Sequence, residues 1–362
     1  MKLLPGRLTT SNKMGRDGIS KFIFCPMADP EIGVRERELI NAALIENQIG
    51  AGRFIKEFED VWAFRNSYRF GVSCNSGTSA IYLAVKASGA KRVAVPNFSM
   101  AGGVWPALYD KLEVTYIPTR ADVPLADWEQ IDPLKFDAII MAHIYGRKAY
   151  PTGWVDWAKR VNPRVIIIDD MAEAHGIQPD GDIACYSFYG NKIVTTGEGG
   201  MCLTNSEMLA DEMRSLANMY FDKERTMIHP KVGHNFRMTN LQAAIGIGQE
   251  EQMDKFIEKR NQVAKWYSSA IPEEMLLPPR EVVWFYDIRV KNAEKYKKRL
   301  KAKGVDSRRF FYPASLQPWG DGTPDPNGLK WYKQGLLLPC HTKMQKGDIK
   351  YIVDVLLGKP TL

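Results

Sequence analysis

Between residues 93 and 205 the chain repeatedly sets short, continuous apolar runs between segments of helical pattern. No other feature limits the fold as much. The runs are VAVP (93–96), VTYIP (114–118), AIIMAHIYG (138–146), VIIIDD (165–170), ACYSFY (184–189) and GMCLTN (200–205). The early ones do not alternate apolar with polar, which is the form a strand takes when helices cover both of its faces. Helical patterns lie between them: TSAIYLAVKAS after Gly77, AGGVWPALYD around 101–110, and YPTGWVDWAKRV before VIIIDD. Strands alternating with helices predict a mostly parallel α/β sheet. In such sheets ligands bind beyond the carboxyl ends of the strands.

At 362 residues the chain is long enough for one large unit and a smaller one. We expect an N-terminal tail over 1–25, which lacks periodicity, then a large α/β domain over 26–250 and a small C-terminal α+β domain over 251–362. The longest helical pattern, 239–268, would link the two domains. The C-terminal part carries a strand-like VVWFYDIRV (282–290), a Lys/Arg-rich helix (293–303) and a Pro/Gly/Asp loop (318–328).

Hydrophobic residues are 45% and charged residues 25%, a globular profile. The net charge of +7 favours anionic ligands such as nucleotides and phosphates. Its basic residues are scattered, which argues against a nucleic-acid partner. Five cysteines without a C-x-x-C, two of them in strand-like runs, suit free thiols in a reducing compartment rather than disulfides or a metal site. The N-terminal stretch has no apolar core of a secretory signal, and no apolar run approaches the ~20 residues of a membrane span. A cytoplasmic location is expected.

Four stretches carry chemistry. In NSGTSAIYLAVKAS (75–88) a Ser/Gly/Thr turn opens a helix, where free N–H groups and the helix dipole suit a phosphate, although the same residues make an ordinary cap. VIIIDDMAEAHG (165–176) ends a buried run in two aspartates, costly unless paired or serving a ligand such as a protonated heteroaromatic nitrogen. SFYGNKIVTTGEGG (187–200) holds Lys192 between a strand and a Gly-rich turn. A surface charge is the ordinary role of such a lysine, and a desolvated amine able to form a Schiff base is the other. GHNFRMTNLQAAIG (233–246) runs a polar loop into a helix that Thr239 would cap.

Taken in order, these stretches resemble the DegT/DnrJ/EryC1/StrS sugar aminotransferases, fold type I enzymes that use pyridoxal 5'-phosphate (PLP). The likeness runs from about Gly50 to the C-terminus and is strongest at SFYGNKIVTTGEGG and NFRMTNLQAAIG, which look like perosamine-synthase members. It implies a large, mostly parallel-sheet domain with a smaller α+β domain. Lys192 would be the Schiff-base lysine and the base that moves a proton. Asp170 would hold the pyridine nitrogen protonated, Glu173 would lie near the ring hydroxyl, and Ala172 against one ring face. Gly77, Thr78 and Ser187 would hold the cofactor phosphate. Asn235 would reach the phosphate of a neighbouring subunit, which makes the enzyme a homodimer with shared sites. Arg237, Arg308 and Ser315 are candidates for contacting the amino donor or the sugar nucleotide.

The chain departs from the family in places. Met100, in PNFSM, takes the position of an aromatic residue against the second ring face. Ser315, in RRFFYPAS, replaces a histidine in a segment that faces the sugar. Loops around 119–134 and 177–182 are shorter than usual. The resemblance implies transfer of an amino group from glutamate to a keto sugar on a nucleoside diphosphate, with the pyridoxamine phosphate (PMP) form between two half-reactions. The product would be a deoxyamino sugar for polysaccharides such as O-antigen. A 3-dehydratase of the same family would replace the lysine by histidine, whereas this chain keeps Lys192. A non-catalytic PLP-binding regulatory protein is a third reading, opposed by the retention of Lys192, Asp170 and Ser187 together. No G-x-G-x-x-G follows an early strand, which argues against a dinucleotide-binding oxidoreductase.

Overall fold

A computed structural model describes residues 24–222, 224 and 226–360. Seven five-residue strands form the main sheet: β1 (Phe70–Cys74), β2 (Arg92–Pro96), β3 (Glu113–Ile117), β4 (Ala138–Ala142), β5 (Ile166–Asp170), β6 (Ile183–Ser187) and β7 (Gly200–Thr204). Their order is β1-β7-β6-β5-β4-β2-β3. β3, β2, β4, β5 and β6 are parallel, and β7 runs antiparallel between β6 and β1. The alternation in the sequence is thus realised as a mostly parallel sheet. β1, with only the short run FGVSC, carries no comparable sequence signal.

The apolar runs are continuous because both faces of the sheet are covered. In β6, Ala184 and Tyr186 join an apolar cluster with Trp62, while Ile183 and Cys185 join another with Leu83. The first face receives α1 (Val34–Ile45), α2 (Arg53–Arg65) and α7 (Asn240–Glu250); the second receives α3 (Gly77–Ala87), α4 (Trp105–Tyr109) and α6 (Glu207–Ala217). The amphipathic α5 (Trp154–Val161) covers part of the sheet beside β4 and β5. Both α1 and α2 precede the sheet and were not read from the sequence.

A second, antiparallel sheet has the order β8-β10-β9, built from β8 (Tyr286–Arg289), β9 (Arg308–Arg309) and β10 (Gly335–Leu338). It is packed with α8 (Met253–Ala270), α9 (Ala293–Ala302), α10 (Pro326–Gln334) and α11 (Lys346–Leu357). Two expectations change here. The 239–268 helix is two helices, α7 and α8, because the chain turns at Glu251–Gln252, where the Gln252 amide donates to Glu36 of α1 (2.9 Å) and to Gly248 O (3.1 Å). The run AIIMAHIYG leaves the sheet after Ala142 and tightens into a turn at Ile144–Gly146, since the Tyr145 N–H donates to the Glu173 carboxylate (2.9 Å) instead of a neighbouring strand. Of the expected tail, residues 1–23 lie outside the described residues. Cys25 is buried, and its N–H donates to Gly304 O (2.8 Å), so the described chain begins against the C-terminal unit.

The two sheets are clasped by a buried ion group. Arg147, from the segment after β4, donates to Asp287 of β8 (2.6 Å) and to Pro278 O (2.8 Å), and Arg280 pairs with the same aspartate. Asp287 is fully buried. Asp287→Ala strands two cations in a dry interface and should cost about 3–5 kcal/mol. A lowered urea midpoint at neutral pH, with unchanged m-value, is the expected reading.

Candidate active site

The parallel strands share one carboxyl edge, and β7 begins at that same edge. A cavity of about 360 Å³ opens there. It is lined by residues that follow β1 (Ser76, Gly77, Thr78), β2 (Ser99, Met100), β4 (His143, Ile144), β5 (Asp170, Ala172, Glu173) and β6 (Ser187, Asn191, Lys192), with Glu198 just before β7. The C-terminal unit closes it with Trp284, Arg308 and Phe311.

Strand parity sorts the two aspartates that end β5, because successive side chains point to opposite faces. Asp169 turns away from the cavity and is fully partnered. It receives the Tyr150 hydroxyl (2.9 Å) and the N–H groups of Asp180 (3.1 Å) and Gly181 (2.8 Å). His143 completes the set: its Nδ1 accepts the Ala149 N–H (3.2 Å), which leaves the proton on Nε2, 3.1 Å from Asp169 Oδ1. Asp170 faces the cavity. Its Oδ1 accepts the Ala172 N–H (3.0 Å), and its Oδ2 has no hydrogen-bond donor among the described residues. Burial raises its carboxyl, offset in part by that N–H and by the charge of Lys192. A half-partnered buried carboxylate of this kind suits a protonated ring nitrogen.

The start of α3 forms the second half of the site. Ser76 caps the helix through the Ser79 N–H (3.1 Å), and the Ala80 N–H goes to Ser76 O (3.0 Å). The N–H groups of Gly77 and Thr78 have no partner among the described residues, and such an open helix start suits an anion. Two glycines permit this approach. A Cβ on Gly77 would lie 2.6 Å from Ser187 Cβ, and one on Gly200 would lie 2.2 Å from Ser76 O. The Ser187 hydroxyl is thereby brought against the helix start.

Lys192 lies between these halves. Its N–H donates to Tyr189 O (2.9 Å), and its Nζ sits 4.1 Å from the centroid of the Trp284 ring. His175 braces the backbone on both sides of it: Nε2 donates to Ser187 O (3.0 Å) and Nδ1 accepts the Val194 N–H (3.3 Å). Burial lowers the Lys192 amine, opposed by the charges of Glu173 and Asp170 and assisted by Arg308. Burial pushes the Glu173 carboxyl up to about 7, opposed by Lys192 and the Tyr145 N–H. His175 falls to about 3, first through burial and then through the charge of Lys192.

The cavity thus gathers Gly77, Thr78, Met100, Asp170, Ala172, Glu173, Ser187, Lys192 and Arg308. Three sequence candidates lie elsewhere. Asn235 and Arg237 are exposed; Asn235 is bridged to Asn218, and the Arg237 guanidinium donates to Asn218 Oδ1 (2.9 Å). Ser315 is buried behind the cavity wall, accepting from the Asn97 amide (2.8 Å) and donating to Thr323 O (2.7 Å). Thr239 caps α7 as its position suggested, with Gln242 completing a capping box. Sequence reasoning missed Trp284, Asn191 and the brace His175. Asn191 is buried, and its amide oxygen has no partner among the described residues. Only the tertiary fold brings Trp284 to the lysine, and nothing in VVWFYDIRV signals it.

The sheet, the edge-on cavity and the strand-end lysine define the class, a fold type I aminotransferase. A family model described as the DegT/DnrJ/EryC1/StrS aminotransferase family matches residues 30–357, and the chain belongs to that family. Among its relatives are proteins named GDP-perosamine synthase. The one from Caulobacter vibrioides is 32% identical over 91% of this chain and 96% of its own length, and that from Escherichia coli O157:H7 is 29% identical over 91% and 97%. Among solved structures, Helicobacter pylori PseC, an aminotransferase of pseudoaminic acid biosynthesis, superposes with a TM-score of 0.84 at 18% identity, over 92% of this chain and 98% of its own. The chain is a PLP-dependent sugar aminotransferase, and the half-partnered Asp170, the free N–H groups of α3 and the half-buried Lys192 amine fit that cofactor.

The raised Glu173 carboxyl ties stability to pH in the cofactor-free protein. A carboxyl whose folded pKa lies above its unfolded value stabilises fully below the unfolded value and loses that contribution as pH rises through the folded one. The window therefore runs from the ordinary glutamate range up to about 7. Glu173→Gln should be more stable than the parent at pH 8 and lose that advantage at pH 4, measured by urea midpoints of the two proteins across this range.

Proposed function

We propose that the chain moves an amino group from glutamate to the C-4 keto carbon of a GDP-linked 4-keto-6-deoxy sugar, in a reaction like that named for its perosamine-synthase relatives. The observation that carries this reading is the placement of Lys192, a half-buried lysine on the cavity wall between a half-partnered carboxylate and an open helix start. The residues divide the work. Gly77 and Thr78 N–H groups and the Ser187 hydroxyl would hold the cofactor phosphate, and Asp170 would keep the ring nitrogen protonated. Once bound, the cofactor supplies an electron sink for the carbon that loses its proton.

Lys192 takes and returns that proton at Nζ, which burial keeps in reach of its neutral form. Trp284, Ile144 and Phe311 line the wall and keep water from the amine. The Arg308 guanidinium lines the cavity with no carboxylate partner among the described residues, and receives a carboxylate of the donor. Ser315 acts through Asn97 to set the wall, and Met100, which lines the cavity, would lie against the second ring face. Glu173 would lie near the ring hydroxyl and Ala172 against one ring face. Asn235 and Arg237, exposed on this protomer, serve the site of a second copy, so the working enzyme is a homodimer. Five buried free thiols support a reducing, cytoplasmic setting; among the described residues no helix is long and apolar enough to cross a membrane.

The purified protein with PLP should show a visible absorption band that bleaches on adding glutamate. Product analysis with a panel of GDP-, UDP- and dTDP-keto sugars identifies the acceptor; turnover confined to a dTDP or UDP sugar refutes the GDP assignment. Lys192→Ala should reduce turnover to background. Arg308→Gln should raise KM for glutamate roughly 10-fold, the value of one charged hydrogen bond, with KM for the sugar nucleotide unchanged.

A further inference from the structure

We propose that Trp284 is the positioning residue of Lys192, its indole face holding the ammonium form and its N–H fixing the loop that carries the lysine. The proposal rests on the reading that Lys192 is the working amine. Among the described residues Lys192 makes no ion pair, and its Nζ is placed 4.1 Å from the Trp284 centroid. The Trp284 Nε1–H donates to Asn191 O (2.8 Å), the residue immediately before the lysine. One side chain thus grips both the tip and the backbone of this segment.

The indole is itself fixed. It is buried, and its own carbonyl accepts the Arg260 guanidinium of α8 (2.5 Å), which also donates to Cys340 O. Tyr145 stacks beside it with rings 21° apart. Trp284 belongs to the segment leading into β8, whereas Lys192 follows β6 of the main sheet. The C-terminal unit therefore reaches across the cavity and decides where the amine rests.

The other groups facing the amine come from several elements. Asp170, the last residue of β5, and Glu173 after it favour the ammonium, and Arg308, on β9, disfavours it. Glu198, before β7, lines the same cavity, and His175 stands neutral behind the loop. In this setting the ring face supplies attraction without a hydrogen-bond acceptor. The lysine is held while charged and released when neutral, which is the form that attacks a carbonyl or takes a proton. A desolvated cation over indole is stabilised enough to be worth about one pH unit of amine titration.

The test uses the full chain stripped of cofactor, with Lys192 modified by a small aldehyde and borohydride and read by mass spectrometry across pH. Trp284→Leu should lower the labelling midpoint by about one pH unit. A tetrafluorinated tryptophan at position 284 keeps the shape and the N–H but drains the ring face, and should move the midpoint in the same direction. This second variant guards against misfolding of the first. An unchanged or raised midpoint for the fluorinated protein overturns the proposal, even if its stability falls. The labelling does not depend on turnover, so failure to aminate any keto sugar would count against the proposed function alone.

Discussion

Two consecutive carboxylates at the end of β5 set the terms for the rest of the molecule. Neither can be left charged and alone in a buried sheet. Because β5 is extended, Asp169 and Asp170 emerge on opposite faces, and the protein treats them oppositely. Asp169 is saturated by His143, Tyr150 and two backbone N–H groups. That saturation fixes the turn after β4 and the loop before β6, which together shape the cavity wall. Asp170 keeps one oxygen free, and its cost is carried until a cation meets it. The fold thus stores an incomplete interaction at the cavity.

The amine is handled with the same economy. Among the described residues Lys192 has no carboxylate in ion-pair contact, but Glu173 and Asp170 lie within electrostatic reach, so its charge is neither quenched nor fully supported. Glu173 is held by the Tyr145 N–H, a donor available only because Tyr145 leaves the strand with a positive φ of 53°. His175 pins the backbone before and after the lysine, and Trp284 pins its tip. The lysine is thus rigid in position yet poised in protonation, a combination suited to proton transfer.

Much of this was legible in the chain. The continuous apolar runs gave the parallel strands, since burial on both faces leaves no reason for polar alternation. Ser76-Gly77-Thr78 announced a helix start, and the Gly-rich turn after Lys192 announced a close backbone approach, which Gly200 makes against Ser76 O. Legibility failed where a residue's partner is far along the chain. VVWFYDIRV reads as a core strand, and nothing local separates Trp284, which meets Lys192, from Phe285 beside it. Ser315 stood in a segment expected to face the sugar, yet its hydroxyl is taken up by Asn97 and Thr323. The break between α7 and α8 is not legible because helical periodicity continues across it, and the contacts that turn the chain, Gln252 with Glu36 and Glu251 with Arg35, reach to α1 far earlier in the chain.

By itself the sequence determined the parallel sheet, the edge at which chemistry occurs and the residue types placed there, because hydrophobic period and turn chemistry act over a few neighbouring residues. The tertiary structure alone decided which ring lies over the amine and where the Ser315 hydroxyl is taken up. Those outcomes depend on packing between segments far apart in the chain, and no local pattern encodes them.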